Sequence, residues 1–380
     1  MKLRVGIALF GLGVLFLVIA VGMPWYVAPA VTKLPYDLPK TTSVARATDA
    51  RFLQISRVGD SVEIDIPQAT LESTVEVLPN ARQTADRLPK KLAGNAVVWD
   101  VYQTVKRTDR QEVISQYSTQ LALFRVSGAA APWNEQWLNE DGAAQTPIGN
   151  VTYSGQVYKF PFDTRKRDYQ VFDRDLKRSL PAKYAGTETI EGIEAYRFEQ
   201  RIENELLNTP QDSIATLLNR FTPEAANGQV FYSNTRTLWV DPMTGTYLKV
   251  REQQRKVLVS ETGAETVLLD ADFNSTKESI AGSVKTVKEN RFKLNLIGLI
   301  LPVAAAVLGL AALITGLLMV FRPARSAAVA SESRTRPDDT LEMDQSGPLT
   351  DQVPPATHNW RSDDPTVPNP RQAPGGVEQH

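Results

Sequence analysis

Residues 296–321 read LIGLILPVAAAVLGLAALITGLLMVF, 26 consecutive positions from Leu296 to Phe321 without a charge. As a helix rising about 1.5 Å per residue, this run is about 39 Å long against a hydrocarbon core of about 30 Å, so it crosses a bilayer with tilt to spare. A long polar segment precedes it and a proline-rich tail follows. The placement of both depends on this span.

A second apolar run opens the chain. Lys2 and Arg4 precede Val5 to Met23, 19 residues without a charge, and Pro24, Trp25 and Tyr26 follow. The run exceeds the apolar core of about 7–15 residues usual in a cleaved signal peptide, which favours an uncleaved anchor, while Ala28-Pro29-Ala30 leaves cleavage open. Trp25 and Tyr26 suit the membrane–water interface, which accommodates an apolar ring and a polar tip together. Basic residues before the first span, with none after it until Lys33, place the N-terminus in the cytoplasm; around the second span the basic residues nearly balance. Two spans then put both termini inside and the middle of the chain outside. Gly6, Gly13 and Ala20 on one span, and Ala305, Gly309, Ala312 and Gly316 on the other, give each a narrow face of small residues for close helix packing. Pro302 predicts a kink or an interfacial first turn in the second span.

The expected architecture is an α+β membrane protein, a β-rich extracytoplasmic domain between N- and C-terminal transmembrane helices. Its parts are a cytoplasmic N-terminus (1–4), a first transmembrane helix (5–23), the domain (24–293), a second transmembrane helix (294–321) and a disordered cytoplasmic tail (322–380). The tail has nine prolines and almost no large apolar residues, too little burial to offset the entropy of ordering. Thr340, after Asp338-Asp339, is a candidate kinase site there. Period-two alternation at 61–66, 73–77, 195–199 and 236–240 predicts half-buried strands. Asp241-Pro242-Met243-Thr244-Gly245 predicts a hairpin turn between Arg236–Val240 and Thr246–Glu252, and Glu261-Thr262-Gly263 predicts another between 256–260 and 266–270. Asp212 is placed to cap a helix over 213–221, and Ser275 with Glu278 to open one that runs on into the second span.

Composition excludes much chemistry. There is no cysteine, and the only histidines are His358 and His380 in the tail, so the domain has no thiol nucleophile, no disulfide and no imidazole for a catalytic pair or metal site. With 42 basic and 43 acidic residues, nothing points to nucleic acid as a partner. No phosphate loop or nucleophile elbow is present, so the chain reads as a non-enzymatic protein without a cofactor.

Two stretches are candidates for ligand contact. Phe160 and Phe162 flank Pro161 on an apolar segment that runs into Arg165, Lys166 and Arg167. From Arg165 to Lys183 there are seven basic residues against Asp168, Asp173 and Asp175, an excess suited to an anionic headgroup or glycan, or simply a solvated charged loop. Trp133 and Trp137, four apart after Pro132, share one face if that piece is helical, and suit either a lipid contact or packing on the sheet.

Pro24-Trp25-Tyr26-Val27-Ala28-Pro29, Lys33-Leu34-Pro35, the block Tyr158 to Tyr169, Pro181-Ala182-Lys183-Tyr184-Ala185-Gly186, Gly192-Ile193-Glu194-Ala195-Tyr196-Arg197-Phe198 and Val240 to Gly245 together resemble the actinobacterial PorA-type family, over residues 1 to about 321. Phe172-Asp173 departs from it, where the resemblance leads one to expect a tryptophan before the aspartate. The resemblance implies an envelope protein of a mycolate-type actinobacterium, and the family name implies a porin. From the residues, the first expectation is an extracytoplasmic domain that binds or passes a lipid, glycolipid or other envelope component, with the bilayer as its constant partner. A porin-like oligomer associating through the transmembrane helices, or a scaffold working through the tail, are the alternatives.

Overall fold

The computed structural model describes residues 2–58, 61–140 and 147–321. The tail assigned above to 322–380, with Thr340, lies outside these residues.

Alternating polar and apolar residues fold the middle of the chain into one antiparallel sheet of 11 strands. In chain order these are β1 (Thr41–Phe52), β4 (Gln68–Pro79), β5 (Ala96–Arg107), β6 (Val113–Phe124), β7 (Trp137–Asn139), β8 (Tyr169–Asp173), β9 (Arg178–Ile190), β10 (Ile193–Leu206), β11 (Gly228–Val240), β12 (Tyr247–Ser260) and β13 (Glu265–Ser275). A separate hairpin is made by β2 (Gln54–Val58) and β3 (Ser61–Asp65). The spatial order β7-β6-β5-β4-β1-β13-β12-β11-β10-β9-β8 makes β7 and β8 the two edges. The sheet curls until those edges approach: Gln156 bridges Ala129, just past β6, on one side and Val171 of β8 on the other. Phe172 of β8 accordingly packs with Val97, Trp99 and Val101 of β5 and Leu121 and Leu123 of β6. Curling protects edges that would otherwise offer unpaired backbone groups to another chain.

Both hairpins expected around 241–245 and 261–263 form, with β11 and β12 in register from Gly228↔Ser260 to Trp239↔Lys249 and a shift at Val240↔Tyr247 beside the turn. Because the strands are antiparallel, their ends sort onto two rims. One rim carries the ends of β4, β6, β11 and β13 and the starts of β1, β5, β10 and β12. The opposite rim is covered by α4 (Gln211–Phe221), whose Ile214, Leu217 and Leu218 pack on Val230, Leu258 and Leu268 and on Ile64 and Ile66 around the small hairpin. Asp212 is not the cap of that helix: Pro210 holds the N-cap position, and Asp212 lies in the first turn, where its charge complements the helix dipole. A shorter helix, α3 (Ala81–Arg87), is capped by Asn80, whose side chain accepts from the Gln83 N–H at 2.9 Å.

The long helices leave from the first rim. At the N-terminus, α1 (Lys2–Gly22) continues through a π turn at Met23–Val27 into α2 (Ala28–Val31). At the other end α5 (Lys277–Asn295) passes through a second π turn, Leu296–Ile300, into α6 (Leu301–Phe321). The irregular turn falls just before Pro302, whose ring cannot supply the helix-interior N–H. Thr276 caps α5, accepting from the Ser279 N–H at 3.2 Å, so the cap sits one residue beyond the expected Ser275. Both apolar helices are long and hydrophobic enough to cross a membrane.

The small-residue faces meet. A Cβ built on Gly13 would stand 2.8 Å from the Gly309 carbonyl oxygen, and one on Gly316 would stand 2.8 Å from that of Gly6. Only glycine allows backbones this close, so α1 and α6 form a pair within one chain. An oxidised double variant Gly6→Cys/Met319→Cys is predicted to crosslink within single chains, because those two Cβ positions lie 3.2 Å apart and need only a few tenths of an ångström to reach disulfide spacing, and the backbone nearest the new Cβ, the Gly316 carbonyl, is 3.2 Å away. Non-reducing electrophoresis showing no intrachain product would contradict the pairing.

Candidate functional site

The loop from Tyr158 to Asp168 is the structural centre of the rim from which the helices leave. It has little regular structure of its own, so its backbone groups are satisfied by neighbours. Phe160 N–H donates to the Gly245 carbonyl at 2.9 Å, Asp163 N–H to that of Met243 at 3.2 Å, and Thr164 N–H to that of Pro242 at 2.8 Å, fastening the loop along the β11–β12 turn. Gly245 is required there. Its φ is +70°, and an added Cβ would lie 2.1 Å from the Phe160 carbonyl oxygen.

This turn is held in turn by the C-terminal helix. The fully buried Asp241 carboxylate accepts from the Thr244 N–H at 2.8 Å and from Arg291 of α5. Arg291 also donates to the Glu194 carbonyl at 3.2 Å, while Val284 and Val287 pack α5 against Ile193, Ala195, Trp239 and Leu248. On its other side the loop meets the N-terminal exit. Phe162 N–H donates to the Val126 carbonyl at 3.4 Å, and the neighbouring Arg125 carbonyl accepts from the Leu34 N–H at 2.8 Å. One loop therefore touches both places where the chain leaves for its apolar helices, forming a collar.

Within the collar Lys159 is buried. Its Nζ donates to the Phe160 carbonyl at 3.0 Å and to that of Thr244, and stands 3.9 Å from the Phe162 ring centre. Burial disfavours the ammonium, and the charge of Asp241 offsets this only in part, so the Lys159 pKa is pushed down to about 7.

The sequence candidates separate by environment. Phe160 is fully buried, its ring 4.7 Å from Phe198 and 4.9 Å from Tyr169, and so belongs to the core. Phe162 is half-buried beneath Lys159, whereas Arg165, Lys166 and Arg167 are exposed on the outside of the collar. Trp133 and Trp137 do not share a helix. Residues 131–136 are irregular with one turn; Trp133 is buried against Leu92, Val98 and Ala122, and Trp137 begins β7 opposite Gln120. The sheet's demand for an edge strand overrides the i, i+4 spacing.

The interior of the curled sheet holds a charge network that no sequence spacing indicated. Arg236 of β11 pairs with Asp173 at 3.2 Å and with Glu252, and its Nη1 donates to Gln200 at 2.8 Å. Tyr232 donates to Asp173 at 3.3 Å, Lys256 pairs with Asp175, and Arg174 lies 3.6 Å from Glu140. Burial pushes the Asp173 carboxyl upward, against the pull of Arg236. Removing one partner from such a pair strands the other and costs about 3–5 kcal/mol, which makes the belt unsuited to opening. Two surface clefts, of about 390 Å³ beside Arg46, Glu72 and Lys106 and about 200 Å³ beside Tyr102, Gln103 and Tyr117, are open and partly polar. Neither has the enclosed apolar lining that a lipid site needs. Among the described residues no group of acidic and histidine side chains is arranged to hold a metal ion.

These features define a class: a filled, curled β sheet carried on two apolar helices that pair with each other and meet it at one rim. The chain belongs to the Porin PorA family, whose model matches residues 5–318. A curated relative named Porin PorA from Corynebacterium resistens is 24% identical over 417 aligned positions, covering 86% of this chain and 98% of the relative. A second of the same name, from Corynebacterium amycolatum, is 22% identical and covers 83% of this chain and 98% of its own length.

The buried lysine generates a pH test. Between about 7 and the ordinary value of 10.5, the folded amine has lost its proton while the unfolded one keeps it, so stability rises with pH through that window. Thermal melts of the full chain in detergent are predicted to show this rise, and Lys159→Met to remove its part of it. Parallel curves for the two proteins would place the amine in water.

Proposed function

We propose that this chain is a two-span membrane protein of an actinobacterial envelope that provides permeability as an oligomer, with its β-rich domain outside the cytoplasm and both termini inside. Membership of the Porin PorA family carries this reading, and two relatives of that name are covered almost end to end. The helix pair supports the membrane assignment, because Leu3, Ile7, Val18 and Val21 on α1 and Val307, Leu308 and Leu310 on α6 are exposed, an apolar surface suited to lipid.

On this reading the conduit lies between copies. An ordinary porin turns an apolar band of strands to the lipid around a polar lumen. Here the sheet carries a largely exposed ion pair, Arg46–Glu72, between β1 and β4, and its interior is occupied by fully buried side chains such as Tyr232, Phe198 and Leu121. The helix pair offers no polar stripe: the Thr315 hydroxyl donates back to the Ala311 carbonyl at 2.8 Å. The small-residue faces are used within the chain, which leaves the outer helix faces and the domain surface for contacts between copies. The role is non-enzymatic.

Purified full-length protein in planar bilayers is predicted to give discrete conductance steps, and protein lacking 5–23 and 294–321 to give none. Silence from the full chain under conditions where it is inserted would contradict the permeability role. Orientation has its own test, since the native chain lacks cysteine. An impermeant maleimide is predicted to label Ser154→Cys, at an exposed position, on intact cells and to spare Ser346→Cys; the reverse pattern would invert the topology.

A further inference from the structure

The collar brings an exposed basic patch to the level at which the apolar helices begin. Thr164 is bonded to Pro242, next to Asp241, which binds Arg291; Leu296, where the apolar run 296–321 begins, is five residues further on, about 7.5 Å along the helix. Arg165, Lys166 and Arg167 follow Thr164 directly and are exposed. Lys293 is exposed on α5 two residues after Arg291, and Lys90 and Lys91 are exposed on the loop before β5, whose Asn95 carbonyl accepts from the Arg125 N–H at 2.8 Å. Local acidic groups neutralise little of this. Asp168 accepts from the Tyr184 N–H at 3.1 Å, and Asp163 stands 3.8 Å from Arg165 with both side chains largely in water. Glu191 and Glu194 lie in and beside the β9–β10 turn of the same rim, where the Glu194 carbonyl accepts from Arg291 at 3.2 Å. The cationic side chains are held from below by aromatic rings: Lys166 lies 5.1 Å from the Tyr196 ring centre and Arg167 5.1 Å from that of Tyr169.

We infer that the collar patch Arg165–Lys166–Arg167, extended by Lys90, Lys91 and Lys293, is a docking surface for the anionic phospholipid headgroups of the leaflet from which the two helices emerge. The inference rests on the proposed reading that those helices span the bilayer. Charge and height select the occupant. Basic side chains close to an anionic surface each gain appreciably from it, and here Arg165, Lys166 and Arg167 follow directly on the residue tied to the α5-bound turn, close to the plane in which headgroups lie if Leu296 begins the hydrocarbon segment, with Lys90, Lys91 and Lys293 exposed on elements joined to the collar. Phe292, 61% exposed between Arg291 and Lys293, adds an apolar contact at the same height. The docked collar seats the rigid sheet on the membrane at a fixed height, because the loop is bonded both to α5 and to the N-terminal exit.

The test uses the full chain with Val126→Cys, a position 53% exposed on the collar, carrying a fluorophore in nanodiscs. Quenching is compared between headgroup-spin-labelled phosphatidylglycerol and phosphatidylcholine, each as a minor component of a mixed bilayer of the two lipids. The expected result is preferential quenching by the anionic lipid. That preference should fall by up to about fivefold for each basic side chain removed, markedly in Arg165→Gln/Lys166→Gln/Arg167→Gln and to near parity only when Lys90, Lys91 and Lys293 are changed to Gln as well, and should collapse for the unmutated collar at about 1 M salt, where screening acts within about 3 Å. Equal quenching by both lipids, or a preference indifferent to the substitutions and to salt, overturns the inference. Alkaline carbonate extraction separates the two failures. A chain that stays in the membrane yet shows no preference refutes the docking surface alone, whereas a chain that is washed out refutes the spanning helices and the docking surface with them.

Discussion

The ion pair between Asp241, buried in the β11–β12 turn, and Arg291, one turn before the end of α5, is the contact on which the rest of the arrangement depends. It joins two structures with different demands: a sheet that satisfies its backbone internally, and an apolar helix that does so alone. A fully buried carboxylate is costly without a partner, so the turn retains its form only while the helix is seated. The seated helix presents Val284 and Val287 to the sheet, and the turn offers its carbonyls to the Lys159–Thr164 loop. Position is thereby passed from one apolar helix, through the turn and the collar, to the exit of the other.

The interior of the sheet makes the complementary point. A conduit through a single domain would have to open the belt formed by Arg236, Asp173, Glu252 and Gln200, in which each charge is already answered by its neighbour. Breaking it would strand buried charges. On the proposed reading, then, the domain is a rigid body and permeability arises where several such bodies and their helix pairs meet. The expectation of a lipid carried within the domain finds no support in this packing, and the family relationship favours the pore alternative.

Much of this was legible in the sequence. The uncharged runs at 5–23 and 296–321, the helix that continues from the domain into the second of them, and the hairpin turn at 241–245 are local signals, set by composition, capping and turn chemistry, and they survive folding. The spacing of Gly6 and Gly13 against Gly309 and Gly316 also held, because close backbone approach needs glycine whatever the context. Long-range pairing was not legible. Nothing near Asp173 announces Arg236, 63 residues on, and Asp241 looks like an ordinary turn residue until Arg291 is brought to it. Trp133 and Trp137 misled for the same reason: their spacing suits a helix, but β6 needed an edge partner. Lys159 sits in a run of aromatic residues that hints at burial, while one of the two carbonyls that accept its hydrogen bonds, that of Thr244, comes from a turn 85 positions away.

The central claim is that permeability belongs to an assembly and not to a single copy. It is tested most directly by counting fluorescently labelled subunits, through stepwise photobleaching, in individual liposomes whose ion leak is recorded at the same time. The account predicts that liposomes holding one copy stay sealed and that leak appears only above a threshold copy number. Leak from single-copy liposomes would contradict it and place the conduit inside the chain.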